Sequence, residues 1–146
     1  MSTLAHILLV DDSPEDVDLT KEALETTKLA NNVSVVFDGV EAMAFLRRQG
    51  KFADAERPSL ILLDLNMPKK DGRQVLEEIK SDPELKDIPV VILTTSKHEE
   101  DVIKAYKLHA NCYIRKPVNM GEFTKVVQSI DHFWFAIVEL PDQKHF

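Results

Sequence analysis

Four consecutive aliphatic residues followed by an acid, Leu60-Ile61-Leu62-Leu63-Asp64, form the segment that decides the fold. A continuous apolar run of this length is typical of a strand that is buried on both faces of a parallel sheet. Similar runs occur at Ile7-Leu8-Leu9-Val10, at Val33 to Phe37 and at Val90-Val91-Ile92-Leu93, and a weaker one at Cys112-Tyr113-Ile114. The sequence therefore predicts five short, buried strands.

The segments between these runs are predicted to be helices. Ser13-Pro14-Glu15-Asp16 combines a capping residue, a proline at the first helical position and acids in the first turn. Asp38 can cap a second helix, in which apolar residues recur from Val40 at three-residue spacing, and Gly50 to Pro58 is predicted to be a polar surface loop. Further helices are indicated by Val75, Leu76 and Ile79, by Ser96 with Glu99, and by Asn119 with Glu122. Strand and helix alternating five times predicts a doubly wound α/β domain, with a five-stranded parallel sheet and helices on both faces.

The overall composition limits the classes of function. The 146 residues carry a formal net charge of −7, which disfavours binding to nucleic acid and to anionic membranes. Cys112 is the only cysteine, so an intramolecular disulfide is excluded. No signal peptide and no apolar run of membrane-spanning length is recognisable. We therefore expect a soluble, cytoplasmic protein.

The polar residues that could take part in a reaction lie at the ends of the predicted strands: Asp11, Asp12, Asp64, Thr94 and Lys116. In the common strand order 2-1-3-4-5, strands 1 and 3 are adjacent, and ligands bind beyond their carboxyl ends. Three carboxylates that meet there repel one another, and oxygen ligands without a His or Cys cluster suit Mg²⁺ rather than Zn²⁺. The pattern indicates a site for phosphoryl transfer to a carboxylate.

Taken together and in order, four short motifs resemble the receiver domain of two-component response regulators, whose fold is flavodoxin-like. The motifs are Val10-Asp11-Asp12, Asp64-Leu65-Asn66-Met67-Pro68 with Gly72, Thr94, and Lys116-Pro117. Each motif alone is common, but their order at successive strand ends is specific. The resemblance runs from about His6 to Ile130, which implies a receiver domain at residues 1–130 and an extension at residues 131–146.

The resemblance implies a phosphoacceptor and a metal site. Asp64 would accept the phosphoryl group. Asp12 and Asp64, together with the backbone carbonyl of Asn66, would bind Mg²⁺, and Asp11 would reach the ion through water.

The resemblance also implies three residues that respond to the phosphoryl group. Lys116 would pair with it, Thr94 would hydrogen-bond one of its oxygens, and Tyr113 would turn inward as Thr94 moves. Thr95 is the alternative to Thr94, although alignment with the strand end favours Thr94. An aromatic in the last strand is often a core residue, so both roles are open for Tyr113. Asp11 and Asp12, taken alone, could simply cap the first helix.

The apolar extension after Ile130 has two interpretations. It could lengthen the final helix and close the chain's own core, or it could form an interface with a second subunit. The second interpretation assigns the interface to Phe133, Trp134, Ile137, Val138 and Leu140.

The extension, the Gly50 to Pro58 loop and the run from Val91 to Ser96 resemble the small response regulators associated with cyanobacterial phytochromes. That subgroup implies a light-sensing histidine kinase as partner and a homodimer. The predicted function is therefore that of a single-domain response regulator that is phosphorylated on Asp64 and is not a turnover enzyme. One alternative is a phosphatase of the haloacid-dehalogenase type, but such enzymes need an acidic residue as general acid at the position that Asn66 occupies. Another is a nucleotide-binding module, for which no glycine-rich phosphate loop is present.

Overall fold

The computed structural model describes residues 5–25, 31–65, 72–94, 112–116 and 121. They form a five-stranded parallel sheet in the order β2-β1-β3-β4-β5. The strands are β1 (Ala5–Val10), β2 (Asn31–Val36), β3 (Leu60–Asp64), β4 (Val90–Thr94) and β5 (Cys112–Arg115). The described helices are α1 (Pro14–Glu25), α2 (Gly39–Leu46) and α3 (Gly72–Ser81). The predicted strand order and the parallel sheet are confirmed.

Helices cover both faces of the sheet. Val17 and Leu24 of α1 pack with Ile7, Leu9 and the alternate residues of β3 and β4 on one face. On the other face, α2 and α3 pack on the remaining alternate residues of β1, β3 and β4. All five residues of β3 are buried, as expected for the central strand of a doubly wound sheet.

The first two helices begin at the capping residues that the sequence predicts. The backbone N–H of Asp16 donates to Ser13 Oγ at 3.3 Å, and Pro14 is the first residue of α1. Asp38 Oδ1 accepts from the backbone N–H of Glu41 at 2.8 Å, which caps α2.

The end of α2 has an unusual residue in a common motif. Gln49 N donates to Ala44 O at 2.9 Å and Arg48 N donates to Phe45 O at 3.2 Å, which is the hydrogen-bond pattern of a Schellman cap. Arg48 occupies the left-handed position of this cap with φ of 55°, where glycine is favoured.

The structure differs from the sequence-based expectation at three places. Strand β2 ends at Val36, and Phe37 is half exposed in the turn that follows. Val40 lies on the outer side of α2, since Gly39 and Ala42 occupy the buried side. The Gly50 to Pro58 segment is anchored to the core. It begins with a short 3₁₀ helix, Gly50–Phe52, and the ring centroids of Phe52 and Phe45 are 5.4 Å apart.

Several predictions concern residues outside the described ranges. They include Asn66, the helices predicted after Ser96 and Asn119, and the whole extension from residue 131. The backbones of Thr94 and Tyr113 lie in β4 and β5 as predicted, but their side chains are outside the description.

Candidate functional site

The end of β1 places one buried and one exposed carboxylate side by side. Asp11 N donates to Val36 O at 3.1 Å, which continues the pairing of β1 with β2 for one residue beyond the strand. Asp11 is fully buried, and its Oδ1 accepts from Ser13 N at 3.0 Å, whereas Asp12 is exposed. Ser13 caps α1, and Asp11 Oδ1 stabilises the turn that precedes the cap. The second oxygen, Oδ2, is not used in this turn and contacts Lys116.

Asp64 at the end of β3 is held by a close backbone contact with α3. Gly72 N donates to Leu65 O at 2.9 Å. A Cβ at position 72 would overlap the carbonyl oxygen of Asp64 and would come within 2.7 Å of Leu65 Cα. Glycine is required here because the two backbones touch. Asp64 is only 4% exposed, and its carboxylate lies beside that of Asp11.

Lys116 follows β5 and carries the cation of the site. Its Nζ lies 3.0 Å from Asp11 Oδ2, 3.0 Å from Asp16 Oδ2 and 3.3 Å from Asp64 Oδ1. The lysine side chain is 9% exposed. Three carboxylates from the ends of β1 and β3 and the first turn of α1 thus converge on one ammonium group.

The protonation of Lys116 follows from two opposing effects. Burial by itself lowers the pKa of the ammonium, but the close contact with the Asp11 carboxylate, the charge of Asp64 and the hydrogen bond to Asp16 outweigh burial and raise the pKa above its ordinary value of 10.5. Lys116 therefore remains positively charged at physiological pH, which suits a group that is to attract phosphate.

The carboxylates also form a divalent cation site. One oxygen each from Asp11, Asp12 and Asp64 lie within 4.8 Å of one another. Among the described residues, Asp11 Oδ2 is buried without a hydrogen bond of good angle, although Lys116 Nζ is 3.0 Å away. Such an oxygen retains a lone pair for a metal. The all-oxygen donor set suits a hard cation, and the exposure of Asp12 gives the ion access to water.

The sequence-based site is partly assembled in the described residues. Asp11, Asp12, Asp64 and Lys116 come together as predicted. The roles predicted for Thr94, Tyr113 and Asn66 depend on atoms outside the description. Asp16 was missed, because an acid in the first turn of a helix is explained by the helix dipole alone, and no local signal reveals a partner 100 residues away.

Comparison with known proteins gives the same family that the motifs of the sequence resemble. The profile of the response regulator receiver domain family matches residues 7–128. Response regulator Rcp1 of Synechocystis sp. is 53% identical over 135 residues, which cover 92% of each chain. The solved Mn²⁺-bound form of Rcp1 is 52% identical, with a TM-score of 0.73 over 94% of this chain and 99% of that one.

Two further solved structures are similar over nearly the whole chain. The bacteriophytochrome response regulator RtBRR is 44% identical, with a TM-score of 0.85, and the alignment covers 96% of this chain and 86% of that one. The phosphorylated cyanobacterial phytochrome response regulator RcpA is 51% identical, with a TM-score of 0.75, and the alignment covers 96% of this chain and all of that one. Within the described residues, no helix is both long and apolar enough to cross a membrane.

Proposed function

This chain belongs to the response regulator receiver domain family and is a phosphoacceptor signalling protein, and we propose that Asp64 is the residue that accepts the phosphoryl group. The observation that carries the proposal is the convergence of Asp11, Asp16 and Asp64 on the Lys116 ammonium. Asp11 shares the low exposure and the contact with Lys116, so the choice of Asp64 is supported by its place in the Asp64-Leu65-Asn66-Met67-Pro68 motif, which resembles that of receiver domains. Membership of this family favours a switch over the phosphatase alternative.

The chemistry follows from the charges at the site. A carboxylate oxygen of Asp64 attacks the phosphorus of a phosphohistidine, the P–N bond breaks as the P–O bond forms, and the imidazole leaves with the electron pair. Lys116 stabilises the negative charge on the transferred group because its ammonium already lies 3.3 Å from Asp64 Oδ1. Asp11 keeps the lysine in this position from the buried side.

The cation is proposed to be Mg²⁺, which in the bound state neutralises the charge of the transferred phosphoryl group. Asp12, Asp64 and the main-chain carbonyl of Asn66 would hold it, with Asp11 acting through water. The oxygen-only donor set and the exposed edge at Asp12 support this assignment.

Two residues at the ends of β4 and β5 are proposed to transmit the signal. Thr94 would move toward the phosphoryl oxygen by hydrogen bonding, and Tyr113 would follow it inward. Support comes from the register of the sheet, which pairs Asp64 with Leu93 and Ile92 with Tyr113. The phosphoryl group would thus change the surface formed around β4 and β5.

The kinase partner is proposed to be a phytochrome with histidine kinase activity. The similarity to Rcp1, RcpA and RtBRR over nearly their full lengths supports this choice. Transfer from a phytochrome kinase at least tenfold faster than from an unrelated kinase would support the partner, and equal rates would contradict it.

We further propose that residues 1–130 form the receiver and that the apolar extension at 131–146 forms a homodimer interface.

Phosphorylation is tested directly with a small phosphodonor. The protein is incubated with acetyl phosphate and Mg²⁺, and a mass increase that is stable in acid and labile in base is expected for an acyl phosphate. Asp64→Asn should take no label, whereas Asp54→Asn, which changes an exposed acid of the 50–58 loop, should label like the wild type. Labelling that persists in Asp64→Asn would contradict the assignment.

The dimer is tested separately by light scattering of the full chain before and after phosphorylation. Trp134→Glu should give a monomer in the state in which the wild type is a dimer. A wild type that is monomeric in both states would contradict the assignment of the extension.

A further inference from the structure

Asp16 accepts a hydrogen bond from the Lys116 ammonium. Lys116 Nζ donates a hydrogen bond to Asp16 Oδ2 at 3.0 Å, across 100 residues of sequence. Asp11 Oδ2 lies at the same distance without a hydrogen bond of good angle, and Asp64 Oδ1 is farther away at 3.3 Å. Asp16 therefore supplies a directional contact with the ammonium that the Asp11 carboxylate does not supply.

The bond matters because a lysine head group is difficult to hold in place. Four rotatable bonds separate the ammonium from the backbone, and a single ionic contact without directionality leaves its rotation free. Asp11 holds the ammonium from the end of β1, and Asp16 holds it from the first turn of α1. Held between these two acids, the ammonium nitrogen lies 3.3 Å from Asp64 Oδ1.

We propose that Asp16 is a positioning residue, which aims Lys116 at the phosphoryl group on Asp64. Asp16 does not touch the reacting atoms, and it acts only through the lysine. This inference rests on the proposed role of Asp64, and it assigns to the first turn of α1 a part in the transfer step beyond that of stabilising the helix.

The alternative is that Asp16 only stabilises the N-terminus of α1, as acids in the first turn do. That alternative predicts an effect on unfolding and none on the transfer rate. It also predicts the same behaviour for Glu15, an exposed acid in the same turn.

The test compares Asp16→Ala, Asp16→Asn and Glu15→Ala in the full chain, with labelling by acetyl phosphate and Mg²⁺ followed by mass. Asparagine removes the charge but keeps an acceptor oxygen, so the Ala–Asn difference isolates the hydrogen bond from the charge. The Asp16 side chain is 38% exposed, so solvent weakens its contact with the lysine and the effect should be modest. We expect Asp16→Ala to label about fivefold more slowly than Asp16→Asn. Asp16→Asn should be slowed less than Asp16→Ala, and Glu15→Ala should remain close to the wild type.

A double-mutant cycle shows whether Asp16 acts through the lysine. In the Lys116→Met background, Asp16→Ala should slow labelling no further than Asp16→Asn does. Equal rates for Asp16→Ala and Asp16→Asn in the wild-type background, or an undiminished difference after Lys116→Met, would overturn the inference. A wild type that takes no label at all would contradict the role of Asp64 itself, which separates the two failures.

Discussion

A partly buried lysine lies at each end of the sheet, and the surroundings of the two lysines shift their pKa values in opposite directions. Lys116, at the carboxyl ends of the strands, is surrounded by three carboxylates, and its pKa is raised. Lys80, near the end of α3 at the amino ends of the strands, donates to the carbonyls of Lys86 and Ile88 at 3.1 and 3.2 Å. Burial lowers the pKa of Lys80, and the charge of Asp87 only partly opposes this effect.

The difference shows what separates a functional cation from a structural one. Burial opposes the charge of both lysines, but the partners of Lys80 are dipoles, whereas those of Lys116 carry formal charge. Lys80 ties the loop after α3 to the helix. Lys116 lies among three carboxylates and partly balances their negative charge, so it is placed to attract a phosphoryl group that joins the same cluster.

Removal of the lysine charge should produce the largest contrast. Lys116→Met leaves Asp11 and Asp64 buried without their cation, and we expect a loss of about 3 kcal/mol in the free energy of unfolding without metal. Lys80→Met leaves only two carbonyls without a donor and should cost about 1 kcal/mol. Urea unfolding measures both, and equal losses would mean that the carboxylate cluster does not depend on Lys116.

The same pair of variants should also differ in phosphorylation. Loss of the Lys116 ammonium should slow labelling by acetyl phosphate about 100-fold, because a donor aimed at developing charge is lost. Lys80→Met should label at the wild-type rate, since Lys80 donates its hydrogen bonds in the described part of the chain to the loop that precedes β4.

The close approach of α3 to the phosphoacceptor gives the next largest effect. Gly72→Ala places a methyl group against the carbonyl oxygen of Asp64, and we expect a cost of about 2 kcal/mol together with slower labelling. Gly50→Ala is the control: no atom lies within 4 Å of its added Cβ, and only its φ of 59° opposes the change. Gly50→Ala should cost about 1 kcal/mol and should leave labelling unchanged.

The pH dependence of stability should have a different sign for the two lysines. The pKa of Lys80 is below 10.5, so between that lowered value and 10.5 the unfolded chain holds a proton that the folded chain lacks, and the Lys80 contribution rises with pH by at most about 1.4 kcal/mol per unit. The pKa of Lys116 is above 10.5, so its contribution is fully present below pH 10.5 and is lost only at higher pH. We therefore expect the free energy of unfolding, measured at pH 8, 9 and 10, to differ between the wild type and Lys80→Met by an amount that increases with pH in favour of the wild type. The difference between the wild type and Lys116→Met should stay constant over the same range. The opposite trends would contradict the assigned environments.

The smallest effect is expected at the end of α2, also at the amino ends of the strands. Arg48→Gly relieves a left-handed conformation and should raise the free energy of unfolding by about 0.5 kcal/mol after the added flexibility of glycine is allowed for. Thermal unfolding measures this gain. Arg47→Gly, at the preceding position with φ of −96°, should destabilise the protein instead.

The sequence by itself determined the sheet and most of the acidic site. Unbroken apolar runs identify buried parallel strands, and the carboxyl ends of such strands meet at one edge, so Asp11, Asp12, Asp64 and Lys116 could be placed together without coordinates. The caps at Ser13 and Asp38 were also predictable, because each depends on residues within one helical turn.

Only the tertiary structure decided contacts between segments that carry no local signal. The Lys116–Asp16 bond depends on how α1 lies against the end of β5, which no spacing within either segment encodes. The exposure of Val40 was likewise decided by which side of α2 meets the sheet, and the requirement for Gly72 by the distance between two backbones. Periodicity in the sequence reports the faces of single elements, whereas the distances that orient a lysine toward Asp64 are set by the packing of several elements together.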